Sequence, residues 1–292
     1  MWRYCSVSSP WCWLPGGTRR HQIAPQSKMP DSTGMDTSRL DHCGWSSFDP
    51  EFFFGEPGRR SRRVGPAILK IIQTYSPGRT VLELCCGGGA LAIFLAEAGC
   101  RITAIDLSES MLETFRQTLA DKDKTIRDRI RILCGDVCTF DIGRQFDFII
   151  FEDDGFGYLL TEEDQIACLS RIVRHLAPGG RFLLANKTPA IEFSEPGEYD
   201  YDPTTRIISR PHNWTTVDAN GASKTVRMGG ERRRVVESAE LFGLLDRVGL
   251  KVLHQWGDLE QTPFHQAKMP EYVLLMEASA PPPKQAGGIA QD

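Results

Sequence analysis

Four acidic residues and a run of glycines carry the chemical information in this chain. Residues 80–92 read Thr-Val-Leu-Glu-Leu-Cys-Cys-Gly-Gly-Gly-Ala-Leu-Ala, a short apolar run that passes through glycines into a second apolar run. Glycine tolerates positive φ and lets a ligand approach the backbone, so Gly87 and Gly89 suit a tight turn against a bound molecule. A helix starting just after such a turn directs unpaired N–H groups at that molecule. Glu83 precedes the turn inside the apolar run, Asp106 follows a second apolar run, Asp136 a third, and Glu152 a fourth. A strand–glycine turn–helix unit with acids after neighbouring strands is the setting of a nucleotide-type cofactor at the carboxyl edge of a parallel sheet. Gly87-x-Gly89-x-x-Ala92 formally meets the dinucleotide fingerprint,. That fingerprint, however, requires neither an acid inside the first strand nor Gly135-Asp136 after the third.

The elements that position these residues follow from periodicity. Residues 64–75 have the apolar spacing of an amphipathic helix, preceded by Arg59, Arg60, Arg62 and Arg63,. Strands are expected at the start of the 80–92 stretch and at 101–105, 130–133, 146–151 and 181–185. Helices are expected at 91–99, at 108–119 behind the cap Ser108, and at 161–175 behind the cap Thr161,. The run Phe-Asp-Phe-Ile-Ile-Phe at 146–151 has the nearly continuous apolarity of a strand buried on both faces,. Strand and helix alternate with short links, which specifies an α/β, doubly wound, mostly parallel sheet. Residues 190–236 interrupt the alternation with Ile207, Ile208, Val217, Val226, Val235 and Val236 around Asp218-Ala219-Asn220-Gly221. This reads as an antiparallel hairpin or short meander inserted after the fifth strand. A helix at 238–248 and strands at 251–256 and 272–277 complete a seven-stranded sheet, with His254 expected as a core histidine.

The totals limit the functional classes. The 292 residues are 41% hydrophobic and 25% charged, with net charge −4, and no apolar run reaches the length of a membrane helix,. The acidic balance argues against a protein that mainly grips nucleic-acid backbone. Nine cysteines without a Cys-x2-Cys pair give little support to zinc, and with no export signal they point to a reducing cytoplasm,. Residues 1–44 lack a regular period. They are expected to be a disordered arm or an over-extended start with translation from Met29 or Met35, and 279–292 a disordered tail,.

In order, these motifs resemble the class I S-adenosylmethionine-dependent methyltransferases, a family with a Rossmann-like fold. Leu82-Glu83-Leu84-Cys85-Cys86-Gly87-Gly88-Gly89 is similar to the family's first motif, and Ala177-Pro178-Gly179-Gly180 to the turn before its fifth strand. The resemblance implies that Glu83, Cys85, Gly87 and Gly89 lie along the methionine part of the cofactor. It implies that Asp106 holds the ribose hydroxyls, with Leu107 and Met111 beside the adenine. Asp136 would receive the adenine amino group, with Val137 against the ring. Cys85 departs from the pattern, which has glycine there, and a side chain at that position should press toward the cofactor.

Within the class, the chain resembles N-methyltransferases of the glycine and sarcosine type, so Arg62 is expected to grip the cofactor carboxylate. The acceptor is then a small molecule methylated on nitrogen or oxygen. Glu152, which also borders the cofactor, and Tyr158 are the candidate catalytic residues. Asp154, Lys187, His212 and Trp214 are the candidate substrate contacts, with 190–236 as a lid. A protein or tRNA methyltransferase and a cofactor-binding pseudoenzyme are the alternative readings. No metal, nucleic-acid or membrane partner is expected, and the protein is expected to be a monomer or homodimer.

Overall fold

The computed structural model describes residues 57–194, 198–217, 223–265 and 271–279. The expectations for the first 44 residues, for the 218–221 turn and for the tail from residue 280 lie outside the described residues.

Ten strands and seven helices are present among the described residues: α1 (Pro57–Tyr75), β1 (Thr80–Leu84), α2 (Ala90–Glu97), β2 (Arg101–Asp106), α3 (Glu109–Ala120), α4 (Lys124–Arg127), β3 (Ile130–Cys134), β4 (Phe146–Phe151), α5 (Glu162–His175), β5 (Leu176–Lys187), α6 (Pro189–Ser194), β6 (Asp200–Asp202), β7 (Ile207–Val217), β8 (Ser223–Arg234), α7 (Ser238–Val248), β9 (Leu250–Trp256) and β10 (Glu271–Ala278). A short 3-10 turn, Gly155–Tyr158, follows β4. Seven strands form one sheet in the order β3-β2-β1-β4-β5-β10-β9. The first five run parallel, and β10 is antiparallel to both β5 and β9. This is the expected seven-stranded, mostly parallel α/β sheet of the Rossmann-like methyltransferase fold. Strand order reverses at β1/β4, so a crevice opens at the carboxyl ends of β1, β2 and β4, where open α/β sheets bind ligands,.

Strand alternation explains the two cores. Val81, Ile102, Ala104, Phe148, Ile150 and Leu183 face a cluster with α1, α2 and α3. Leu82, Leu84, Ile105, Ile149, Phe151 and Leu184 face the other, with α5 and α7. Successive strand side chains point to opposite faces, so a sheet covered on both sides needs apolar residues at every position. Glu83 breaks that rule: its neighbours on both sides are apolar, yet it is 4% exposed.

The helix caps work as expected. The Ser108 hydroxyl accepts from the Met111 N–H, and Thr161 from the Asp164 N–H. Gly249 closes α7 at φ 75°. β5 differs: it begins at Leu176, before the Pro178-Gly179-Gly180 turn. That turn becomes an irregularity within the strand, whose register shifts against β4 between Phe146 and Phe148. His254 is not in the core, because β9 is the sheet's edge; it is exposed and stacks on Trp256 at 5.2 Å, with Tyr75 at 4.9 Å. The inserted segment is the expected antiparallel unit, a short three-stranded meander β6-β7-β8.

Candidate active site

The turn from β1 to α2 holds three residues in the left-handed region: Cys85 at φ 53°, Gly87 at 51° and Gly89 at 72°. Its backbone is stitched to β2, with the Cys86 N–H donating to the Ile105 carbonyl at 3.1 Å. Asp106 completes the seam. Its Oδ2 accepts from the Gly87 N–H at 2.8 Å and its Oδ1 from the Ser108 N–H at 2.9 Å. A carboxylate oxygen accepts more than one hydrogen bond, so these contacts leave capacity for a diol. Burial pushes the Asp106 carboxyl up in pKa, while the Ser108 and Gly87 N–H groups pull it down. Asp106→Ala is expected to weaken cofactor binding by ~1–3 kcal/mol, the cost of removing such hydrogen bonds. Calorimetry checks this, and unchanged affinity removes Asp106 from the diol role.

Cys85 is exposed, and its left-handed backbone is a conformation that costs an L-residue ~1–2 kcal/mol,. Glycine removes that strain but gains unfolded-chain entropy, so Cys85→Gly should stabilise the protein by roughly 0.5–1 kcal/mol. Denaturant unfolding tests it, and a destabilised variant would contradict the backbone geometry.

Glu83 lies two positions before Cys85 on β1, between Ala104 of β2 and Ile150 of β4. Its Oε2 has no hydrogen-bond partner among the described residues. Burial raises its pKa well above the ordinary carboxylate range, and the nearby charges of Glu152 and Asp106 raise it further. Glu83, Asp106 and Glu152 therefore converge on the crevice from β1, β2 and β4.

The adjoining residues pack as the strand ends dictate. Met111 is 2% exposed, and its Cε would lie 3.2 Å from a Cβ added at Gly87. Asp136 is buried, and its Oδ1 accepts from the Cys138 N–H at 2.8 Å. Val137 is buried beside it, whereas Leu107 is half-buried. The Cys134 and Cys138 thiols donate to different carbonyls, those of Leu107 and Asp164. Arg62 lies in α1, His212 opposite Met228 and Trp214 opposite Val226 in the β7–β8 ladder; the side chains of all three lie outside those described.

Across the crevice, the 152–154 acids diverge in role. Glu152 is half-buried and Asp153 exposed, while Asp154 is buried. Asp153 and Asp154 are both left-handed, at φ 59° and 60°, which turns the chain sharply into the Gly155–Tyr158 turn. Asp154 does not meet the crevice alone. Lys187 Nζ lies 3.1 Å from its Oδ2 and Arg233 Nη1 3.3 Å from the same oxygen. Arg233 also pairs with Glu192 at 2.9 Å and Glu231 at 3.2 Å, and Glu231 accepts a hydrogen bond from the Tyr158 hydroxyl. Burial alone would lower the Arg233 pKa, but Glu231, Tyr158, Glu192 and Asp154 outweigh it and raise it. Burial, then Glu231, pushes the Tyr158 hydroxyl up. The network joins the 3-10 turn, the end of β5, α6 and β8. A small pocket beside it is lined by Asn186, Lys187, Glu192 and Arg233, and the Asn186 Oδ1 has no hydrogen-bond partner among the described residues.

Sequence reasoning thus paired Asp154 and Lys187 with an acceptor, and the fold pairs them with each other. It passed over Glu192, Glu231 and Arg233. The signal was the charged stretch Glu231-Arg232-Arg233-Arg234 inside a strand, where charges at buried alternate positions require partners,.

A family profile described as a methyltransferase domain matches residues 81–180. The matched segment holds Glu83, Asp106, Asp136 and Glu152, whereas Lys187, Glu192, Glu231 and Arg233 lie beyond it. The chain is 33% identical over 135 residues to the cypemycin N-terminal methyltransferase of Streptomyces sp, covering 46% of this chain and 52% of that protein. It is 31% identical over 131 residues to the dTDP-3-amino-3,4,6-trideoxy-alpha-D-glucopyranose N,N-dimethyltransferase of Streptomyces venezuelae, covering 44% and 51%. The chain spans about half the length of these curated relatives. Among solved structures, the CcbJ methyltransferase of Streptomyces caelestis superposes with a TM-score of 0.65 at 23% identity, over 74% of this chain and 90% of that one. The CalS10 amino pentose methyltransferase of Micromonospora echinaspora, solved with its cofactor, does so at 0.61 and 19% identity, over 78% and 97%. The fold likeness therefore covers more of the chain than the segment matched by the family profile.

Proposed function

We propose that this protein is an S-adenosylmethionine-dependent methyltransferase acting on a nitrogen or oxygen of a small molecule in the cytoplasm. The observation that carries this reading is the convergence of Glu83, Asp106 and Glu152 on one glycine turn, inside the segment that matches a methyltransferase domain. The residues fit the cofactor: a buried carboxylate oxygen without a partner suits an ammonium, and Asp106 suits a ribose diol,. Asp136 and Val137 suit the adenine, and Arg62 the carboxylate. Bound there, the cofactor supplies a sulfonium-activated methyl group.

The chain's own work is then alignment and exclusion of water. Glu152 stands at the carboxyl end of β4 between the two sides of the crevice, where it can hold an amine or take its proton. Tyr158, fixed by Glu231, orients the acceptor. Asp154 and Lys187 shape the wall of the acceptor pocket, and Asn186 offers it an acceptor oxygen. His212 and Trp214 belong to the inserted sheet that forms the rim on that side. An amine acceptor is favoured over a hydroxyl because one relative is named an N,N-dimethyltransferase and because the crevice is rich in carboxylates. No helix among the described residues is long and apolar enough to cross a membrane.

Titration of the full chain with S-adenosylmethionine and, separately, with NAD tests the cofactor. Binding of the first alone is expected, and the opposite pattern removes the reading. A screen of amine, hydroxyl and carboxylate metabolites with methyl-labelled cofactor then identifies the acceptor.

A further inference from the structure

We propose that Glu83 is a neutral carboxylic acid in the empty protein and gives its proton to solvent when the ammonium of S-adenosylmethionine enters, so that cofactor recognition is a proton exchange. The inference rests on the cofactor reading above and adds a role for one residue within it.

The geometry leaves Glu83 few ways to be charged. It is 4% exposed in the middle of the sheet, flanked by Ala104 and Ile150, and its Oε2 finds no hydrogen-bond donor among the described residues. The charged groups that bear on it are Glu152 beyond β4 and Asp106 at the end of β2, both of its own sign, with the Cys86 thiol three residues further along its own chain. The arginines that open α1, at positions 59, 60, 62 and 63, have side chains outside those described. A carboxylate buried with one oxygen unpartnered, beside two further acids, is disfavoured as an anion, and protonation relieves it,. Burial and these neighbours drive its titration upward.

An ammonium within reach reverses the balance, because an opposite charge favours the ionised form. The step balances as Glu83–COOH plus the cofactor's –NH3⁺ going to the ion pair plus one H⁺ in solvent. The sign follows by linkage. A carboxyl whose empty-state pKa is raised must lose its proton in order to bind, so affinity rises with pH toward that raised value and stops rising once either Glu83 is ionised or the cofactor's ammonium begins to lose its own proton.

Calorimetric titration of the full chain with S-adenosylmethionine in two buffers of different ionisation enthalpy measures the exchange. About pH 6.5 is suitable, below the ~7.7–8.0 at which a free α-amino group titrates. Release of up to one proton per cofactor is expected, growing as pH falls, with Kd falling by up to about tenfold per pH unit on the acid side. Glu83→Gln should abolish the release and flatten the profile, and Asp106→Asn should keep the release. If Glu83→Gln does not fold, Glu152→Gln should move the pH break downward by removing one like charge. Tight binding without proton release, or release that survives Glu83→Gln and vanishes in Asp106→Asn, overturns the proposal. Failure of S-adenosylmethionine to bind at any pH instead overturns the methyltransferase reading.

Discussion

Arg233→Ala is expected to destabilise the folded protein by about 3–5 kcal/mol, the range seen when one member of a buried ion network is removed. The guanidinium side chain is 6% exposed and holds Asp154, Glu192 and Glu231 at 2.9–3.3 Å. Its removal leaves three carboxylates without their shared cation, with Lys187 at 3.1 Å still answering Asp154. Those carboxylates sit on the turn after β4, on α6 and on β8, so the loss is shared by elements distant in sequence. The inserted sheet should loosen from the 3-10 turn before the main sheet melts. Denaturant unfolding followed by amide exchange on β7 and β8 checks both statements. Arg233→Lys should recover part of the loss, since it keeps the charge but not the forked geometry. A loss below ~1 kcal/mol would mean that water already shares this network, as it does for exposed ion pairs. Tyr158 would lose its orientation together with Glu231, so turnover should fall further than cofactor affinity.

The second large effect is expected at Gly89. Its φ is 72°, and an added Cβ would lie 2.2 Å from the Phe115 ring. Phe115 is fully buried between α2, α3 and the sheet, among Leu91, Ala92 and Leu112, and has no room to withdraw. Gly89→Ala combines overpacking of ~1–3 kcal/mol with left-handed strain of ~1–2 kcal/mol, for a loss of roughly 2–5 kcal/mol. Gly87→Ala should cost less, because the atom it meets is the mobile Met111 methyl at 3.2 Å,. Comparing the two unfolding midpoints tests the ranking. If Gly89→Ala is as stable as the parent, α2 and α3 cannot be as close as described.

Much of the cofactor side was legible because its signals are local. Glycines at 87 and 89 are demanded by backbone conformation, and Ser108 and Thr161 by unpaired N–H groups at helix starts. Acids directly after apolar runs mark strand ends. Each of these is decided within a few residues of chain. The acceptor side was not legible for the converse reason. Asp154 and Arg233 are 79 residues apart in sequence, as the spacing of their hydrogen bond records. An acid in a loop reads the same whether it faces solvent, a substrate or a distant arginine. His254 misled in the same way, since its strand pattern cannot say whether that strand lies inside the sheet or at its edge.

By itself, then, the sequence determined the alternating β/α order, the glycine turn, its acids and the family they resemble. These depend on backbone conformation, capping and side-chain period, all short-range physics. The tertiary structure alone decided that β10 and β9 follow β5 in the sheet, that Glu83 is buried with its Oε2 unpartnered among the described residues, and that Asp154 is claimed by Lys187 and Arg233. Those outcomes depend on which distant segments exclude water from one another. Burial and charge pairing belong to the packed chain, so no local stretch of residues encodes them.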